Sequence, residues 1–181
     1  MMDTTPAYSH PFRRAALAQR KPTRFALTPD AQALAAIAEA LGLISISRAG
    51  FRGEIRPLGR ADFALEAVLE ATVVQPCVAT LAPVTTVIRE TVSRRYLAEW
   101  KEPEAEESET PEDDSIEPLG EVIDAGAVMV EALVLALPLY PRAKGAMAGD
   151  AMAAPPGAEP LTDAALRPFS GLADLMKKKT D

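Results

Sequence analysis

The sequence predicts an α+β fold: an antiparallel β-sheet curved into a partial barrel, with helices at 30–41 and 124–137 packed on it. Three observations predict it. Asp62 to Val74 alternates, with Phe63, Leu65, Ala67, Leu69 and Ala71 on one side and Asp62, Glu66, Glu70 and Thr72 on the other, as in a half-buried strand. Alternating stretches also flank it, at Leu43–Arg60 and Thr85–Tyr96, joined by short turns, which favours an antiparallel meander. Two alanine- and leucine-rich stretches carry apolar residues at helical spacing.

The elements follow in chain order. Residues 1–23 hold Pro6, Pro11 and Pro22 with Arg13, Arg14, Arg20 and Lys21, and read as a flexible basic arm. Arg24 to Thr28 is a short strand. Thr28 is the expected cap of the first helix, whose Leu34, Ile37 and Leu41 share a face and which Gly42 ends. Gly50 and Gly53 interrupt the next alternating stretch, so a hairpin or bulge is expected there. Glu121 to Ile123 reads as a short strand, and Asp124 as the cap of a helix running to Leu137. Apolar residues cover nearly its whole circumference, so it is expected buried or docked on the sheet, and Pro138 and Pro141 stop it. The domain expectation is a single α+β body at 24–142, then a linker and an amphipathic C-terminal helix at 143–181, with Phe169 and Leu172 on its apolar side as a partner-docking surface.

Charge is unevenly spread. Nine acids and no Lys or Arg lie between Glu102 and Glu117, so a chain of net charge −7 is basic by two charges outside that stretch. Residues 101–117 are expected to be a disordered acidic loop: a solvated linker, a nucleic-acid mimic, or a docking segment for a basic partner. A single cysteine forms no internal disulfide, no apolar run approaches the roughly 20 residues of a membrane span, and the N-terminus lacks a secretory pattern. A soluble cytoplasmic protein is the expectation.

Catalytic chemistry finds little support. His10, the one histidine, sits among prolines in the arm, a poor place from which to hold a base beside a nucleophile, and the glycines form no phosphate loop. Cys77 is either a small buried hydrophobe or a metal ligand, and a structural zinc site takes four ligands that this chain does not offer. No enzyme activity, metal, cofactor or small-molecule substrate is expected. Arg48, Arg52, Arg56 and Arg60 recur every four residues, which on an unbroken strand puts them on one face. That row is either a ridge facing RNA phosphates or the solvated face of a half-buried sheet. No aromatic residue interleaves with it, so contacts to backbone and shape are expected rather than base stacking. Glu131, within an apolar helix, is expected to pair with an arginine.

Four segments carry a family resemblance: Q-P-C-V-A-T-L-A-P-V (Gln75 to Val84), E-P-L-G-E-V-I-D (Glu117 to Asp124), E-A-L-V-L-A-L-P-L-Y-P-R (Glu131 to Arg142) and R-P-F-S-G-L-A-D-L-M-K-K (Arg167 to Lys178). Their combination resembles the YceD family, the large ribosomal RNA subunit accumulation proteins, in its alphaproteobacterial form. The matching positions include Gln75, Cys77, Leu81, Pro83, Glu131, Pro138, Pro141 and Arg142. Many members carry C-x-x-C at this turn; here Thr80 stands at the second position. The resemblance implies a non-catalytic role in accumulation or processing of large-subunit ribosomal RNA. The implied partners are precursor or mature rRNA, a ribosomal protein or a processing factor, with no membrane. The alternative is a protein-interaction adaptor that does not contact RNA.

Overall fold

The structure, a computed structural model, describes residues 6–18, 20–99 and 115–146. Its frame is a meander of three long antiparallel strands: β3 (Ser45–Leu58), β4 (Asp62–Pro76) and β5 (Pro83–Leu97). At about 3.4 Å per residue these reach roughly 50 Å. β2 (Thr23–Leu27) adds to β3, and β6 (Ile116–Pro118) adds parallel to the end of β5, giving the order β2-β3-β4-β5-β6. The sheet stays open, with β2 and β6 as its outermost strands. A second ladder pairs β1 (Pro11–Arg13) with β7 (Val122–Asp124). Both helices, α1 (Ala31–Ala40) and α2 (Ala125–Ala136), contribute to one core against one face of the large sheet.

The alternation of β4 produces that face. Phe63, Leu65, Ala67, Leu69, Ala71 and Val73 all point inward and are buried. Ile37 of α1 and Met129 and Leu133 of α2 have no exposed surface. Burying a side chain of this size contributes about 1.5–3 kcal/mol. A chain of rings, Phe12–Phe25–Phe51, with centroids 5.7 and 5.6 Å apart, joins the small ladder to the large sheet.

Several expectations change. The cap of α1 is Asp30, whose Oδ1 accepts from the Ala33 amide at 2.8 Å, and not Thr28. Gly42 follows the helix with φ +63°, as a helix-ending glycine does. β3 runs unbroken through Gly50 and Gly53, and its one irregularity lies between Ile46 and Arg48. Gly53 marks a close approach instead of a turn: a Cβ there would run into the Glu66 carbonyl and Ala67. Ile116 and Glu117, at the end of the stretch expected to be disordered, instead form β6, which pairs parallel to β5 with Ile116 opposite Arg95 and Glu117 opposite Tyr96. α2 is less buried than its composition suggests, with Val134 and Leu135 exposed at its C-terminal end.

The described part of the expected flexible arm is tied down. The His10 amide donates to Asp124 Oδ1 at 2.7 Å, the Ala125 amide donates to the His10 carbonyl at 3.1 Å, and Leu17 is buried. Asp124 also caps α2, accepting from the Gly126 and Ala127 amides at 2.9 and 3.0 Å, and it accepts from the Ser9 hydroxyl. Gly126 permits this crossing, since a Cβ there would strike the Ser9–His10 backbone. Burial pushes the Asp124 carboxyl up, but these hydrogen bonds from Ser9, His10, Ala127 and Gly126 outweigh it and hold it below the usual carboxylate value. Most of the acidic stretch, the linker from 147 on and the C-terminal helix with Phe169 and Leu172 lie outside the described residues.

Candidate nucleic-acid interface

Strand periodicity divides the sheet into the helix-covered face and an outer face that neither helix packs on. Arg48, Arg52 and Arg56 stand on the outer face of β3, as their spacing of four requires. Arg60 does not join them. β3 ends at Leu58, and Arg60 lies in the exposed turn that Gly59 makes with φ +63°, so the row of four is a row of three on the strand.

Register adds two arginines that the sequence did not single out. Gly50, Glu70 and Arg89 are cross-strand neighbours on β3, β4 and β5. With no side chain at Gly50, Glu70 reaches diagonally to both neighbours on β3. Its Oε2 lies 2.8 Å from Arg52 Nη2 and 3.4 Å from Arg48 Nη2, while its Oε1 lies 3.6 Å from Arg89 Nη1. Three guanidinium groups therefore share one carboxylate. Their side chains are 73%, 67% and 76% exposed, against 25% for Glu70, so the positive ends face solvent over a partly covered anion.

Farther along, Glu54 and Glu66 face each other across β3 and β4, an unfavourable pairing. Arg24 of β2 offsets it at Glu54, 3.4 Å away, and Arg56 contacts Glu66 directly. Five arginines thus meet three glutamates, and the excess collects around Glu70. Each exposed pair contributes only about 0–1 kcal/mol to stability. Orienting the guanidinium groups is the larger consequence. A depression beside Glu70, bounded by Arg48, Thr72, Val87 and Arg89, opens toward solvent.

The remaining motif positions meet elsewhere, where the β4–β5 turn touches the segment after α2. Gln75 Nε2 donates to the Pro138 carbonyl at 3.3 Å, the Val78 amide to the Pro141 carbonyl at 3.0 Å, and the Ala143 amide to Cys77 Sγ at 3.3 Å. Cys77 exposes no surface, but its burial is shallow. Hydrogen bonds, led by the Thr80 side chain with the Ala143 and Ala79 amides, outweigh desolvation and bring its thiol down to about 6. Leu81 turns the hairpin at φ +59° with a 77% exposed side chain, a left-handed conformation that a non-glycine residue adopts at a cost of about 1–2 kcal/mol. Pro83 begins β5, and Arg142 is exposed beside the junction. Gln75, Cys77, Pro138 and Pro141 are therefore a clasp between the hairpin and the end of α2. Glu131 pairs as expected with an arginine, Arg94, which also holds Glu117 of β6 at 3.1 Å. Among the described residues, no group of three or more His, Cys, Asp or Glu is placed to hold a metal ion. No described helix is long and apolar enough to cross a membrane.

The class that emerges is a small α+β protein displaying an open, arginine-rich sheet face. Residues 65–176 match the family described as Large ribosomal RNA subunit accumulation protein YceD, and the chain belongs to that family. This membership connects the protein to accumulation of large-subunit ribosomal RNA and to ribosome biogenesis. No curated protein and no solved structure matches the chain.

Proposed function

We propose that the protein supports large-subunit rRNA accumulation as a non-catalytic cytoplasmic factor that binds the RNA sugar–phosphate backbone through the outer face of its sheet. The observation that carries this reading is the three-to-one meeting of Arg48, Arg52 and Arg89 on Glu70. Glu70 holds the guanidinium groups in place and neutralises only one of the three. A phosphate arriving at the depression beside Glu70 meets pre-oriented donors suited to bidentate contact. Among the described residues the face offers no ring for stacking, so the RNA is recognised by charge and shape.

Binding of a structured large-subunit rRNA fragment to the full chain, followed across a salt series, tests this. Affinity falls steeply with salt, and the Arg48→Glu, Arg52→Glu double variant loses most of it while remaining folded. In cells, the same variant fails to restore mature large-subunit RNA when the native gene is deleted. Restoration by a variant that has lost RNA binding would favour the adaptor reading, with a protein as the partner.

A further inference from the structure

Beyond its pairing with β6, β5 has an open edge among the described residues, and the hydrogen bonds identify which of its groups face it. The Cys77 amide donates to the Ala82 carbonyl at 2.8 Å, which sets Cys77 and Ala82 as a hydrogen-bonded pair at the hairpin turn. Such pairs alternate along an antiparallel ladder, so the even-numbered residues of β5 bond to β4 and the odd-numbered ones point their N–H and C=O outward. At the far end of the strand those outward groups are used: the Arg95 amide donates to the Ser115 carbonyl at 2.8 Å, and the Leu97 carbonyl accepts from the Leu119 amide at 2.9 Å. Between Thr85 and Thr91 the described residues supply no such partner, while the Ser93 carbonyl accepts from Arg94 Nη1 at 3.3 Å. Thr85, Val87, Arg89 and Thr91 thus present a regular row of donors and acceptors in line with β6.

A groove runs along part of this row. Glu90, Thr91, Ser93, Arg94 and Ser115 line its polar side, and Ala132, Leu135 and Ala136 of α2 line its apolar side, with Leu135 73% exposed. On the opposite side of the edge stands Arg89, 76% exposed and sharing Glu70, its ion-pair partner among the described residues, with two other arginines. We infer that this edge is a strand-addition site for an extended segment of a partner protein, one that alternates aliphatic and acidic side chains. Its backbone continues the sheet in line with β6, its aliphatic residues lie against Leu135 and α2, and its acidic residues face Arg89. Natural sheets usually blunt a long edge with charge or proline, whereas here only Arg89 and Glu90 do so over the free stretch. The inference goes beyond RNA binding, because it uses the backbone of the edge; the Arg89 guanidinium is common to both sites.

The test uses the full chain and a fluorescent peptide of alternating Val and Glu, about eight residues long. Binding is read by polarisation, beside a Val/Lys peptide of the same length. Thr91→Pro removes one outward N–H without touching the β4 ladder, so the fold survives. Val87→Pro does the same four residues away, and Leu135→Asp alters the wall. The Val/Glu peptide is expected to bind in preference to Val/Lys, with affinity reduced about tenfold or more by Thr91→Pro and by Leu135→Asp. The thermal midpoint of each variant checks that the fold is kept, and Arg48→Glu with Arg52→Glu leaves peptide binding within about threefold, which separates this site from the RNA face. Equal binding of both peptides, or binding indifferent to both proline variants, overturns the inference. So does wild-type sedimentation as a dimer that Thr91→Pro converts to monomer, since the occupant is then a second copy.

Discussion

Arg94 and Glu131 lie 2.9 Å apart, joining β5 to α2, and the same guanidinium reaches Glu117 of β6 at 3.1 Å. The Arg94 side chain is only 16% exposed, so three elements meet on a cation largely withdrawn from water. Arg94→Met keeps the aliphatic stem and strands two carboxylates. A loss of about 1–2 kcal/mol is expected in denaturant unfolding, because both glutamates retain some access to solvent. Adding Glu131→Gln to Arg94→Met should recover part of that loss, as a double-mutant cycle would reveal.

Glu70 both organises and competes. Under the proposed function, Glu70→Gln removes a negative charge from beneath the three arginines and raises RNA affinity about threefold to tenfold at moderate salt. Arg89→Gln has the opposite effect: affinity falls, and the salt slope declines by about 0.7–0.9. Filter binding over a range of ionic strengths measures both. Weaker RNA binding by Glu70→Gln, with the fold intact, would speak against a direct phosphate role.

The Cys77 thiol is lowered in the folded chain from 9.0 to about 6. A group whose folded value is depressed contributes stability that is present above its unfolded value and is lost as pH falls through the folded one. Stability should therefore rise between pH 6 and pH 9, and Cys77→Ala should remove that rise. Chemical unfolding at several pH values measures it. Alkylation of native Cys77 should nevertheless be slow, since the thiol has no exposed surface until the clasp with Pro141 and Ala143 opens.

Asp124 obeys the same sign rule at acid pH. Its folded value lies below its ordinary 3.8, so its contribution is present above 3.8 and fades as pH falls through the folded value. Asp124→Ala should cost about 1–2 kcal/mol at neutral pH. The gap from wild type should narrow below pH 3.8. Amide exchange should quicken at His10, Gly126 and Ala127, whose N–H groups the carboxylate now accepts.

Local chemistry made much of the fold legible. The alternation of β4 named its buried face residue by residue, and Asp124, Gly42 and Pro138 marked helix boundaries because caps and breakers act within a turn of where they stand. Glycine misled at Gly50 and Gly53, since its freedom serves a turn or a close approach equally well and only the neighbouring strand distinguishes them. The arm at 11–17 was unreadable for a related reason: its pairing partner, β7, lies more than a hundred residues away.

By itself the sequence determined the three long strands and the two helices, which side of β4 is apolar, and that Arg48, Arg52 and Arg56 share a face. The tertiary structure alone decided that Glu70 sits among three arginines, that Arg94 reaches both Glu117 and Glu131, and that the outward positions Thr85, Val87, Arg89 and Thr91 of β5 meet no backbone partner among the described residues. The division is physical. Alternation and capping arise from neighbours a few bonds away, whereas cross-strand partnership depends on register, which the β4–β5 turn and the two packed helices set over the whole sheet.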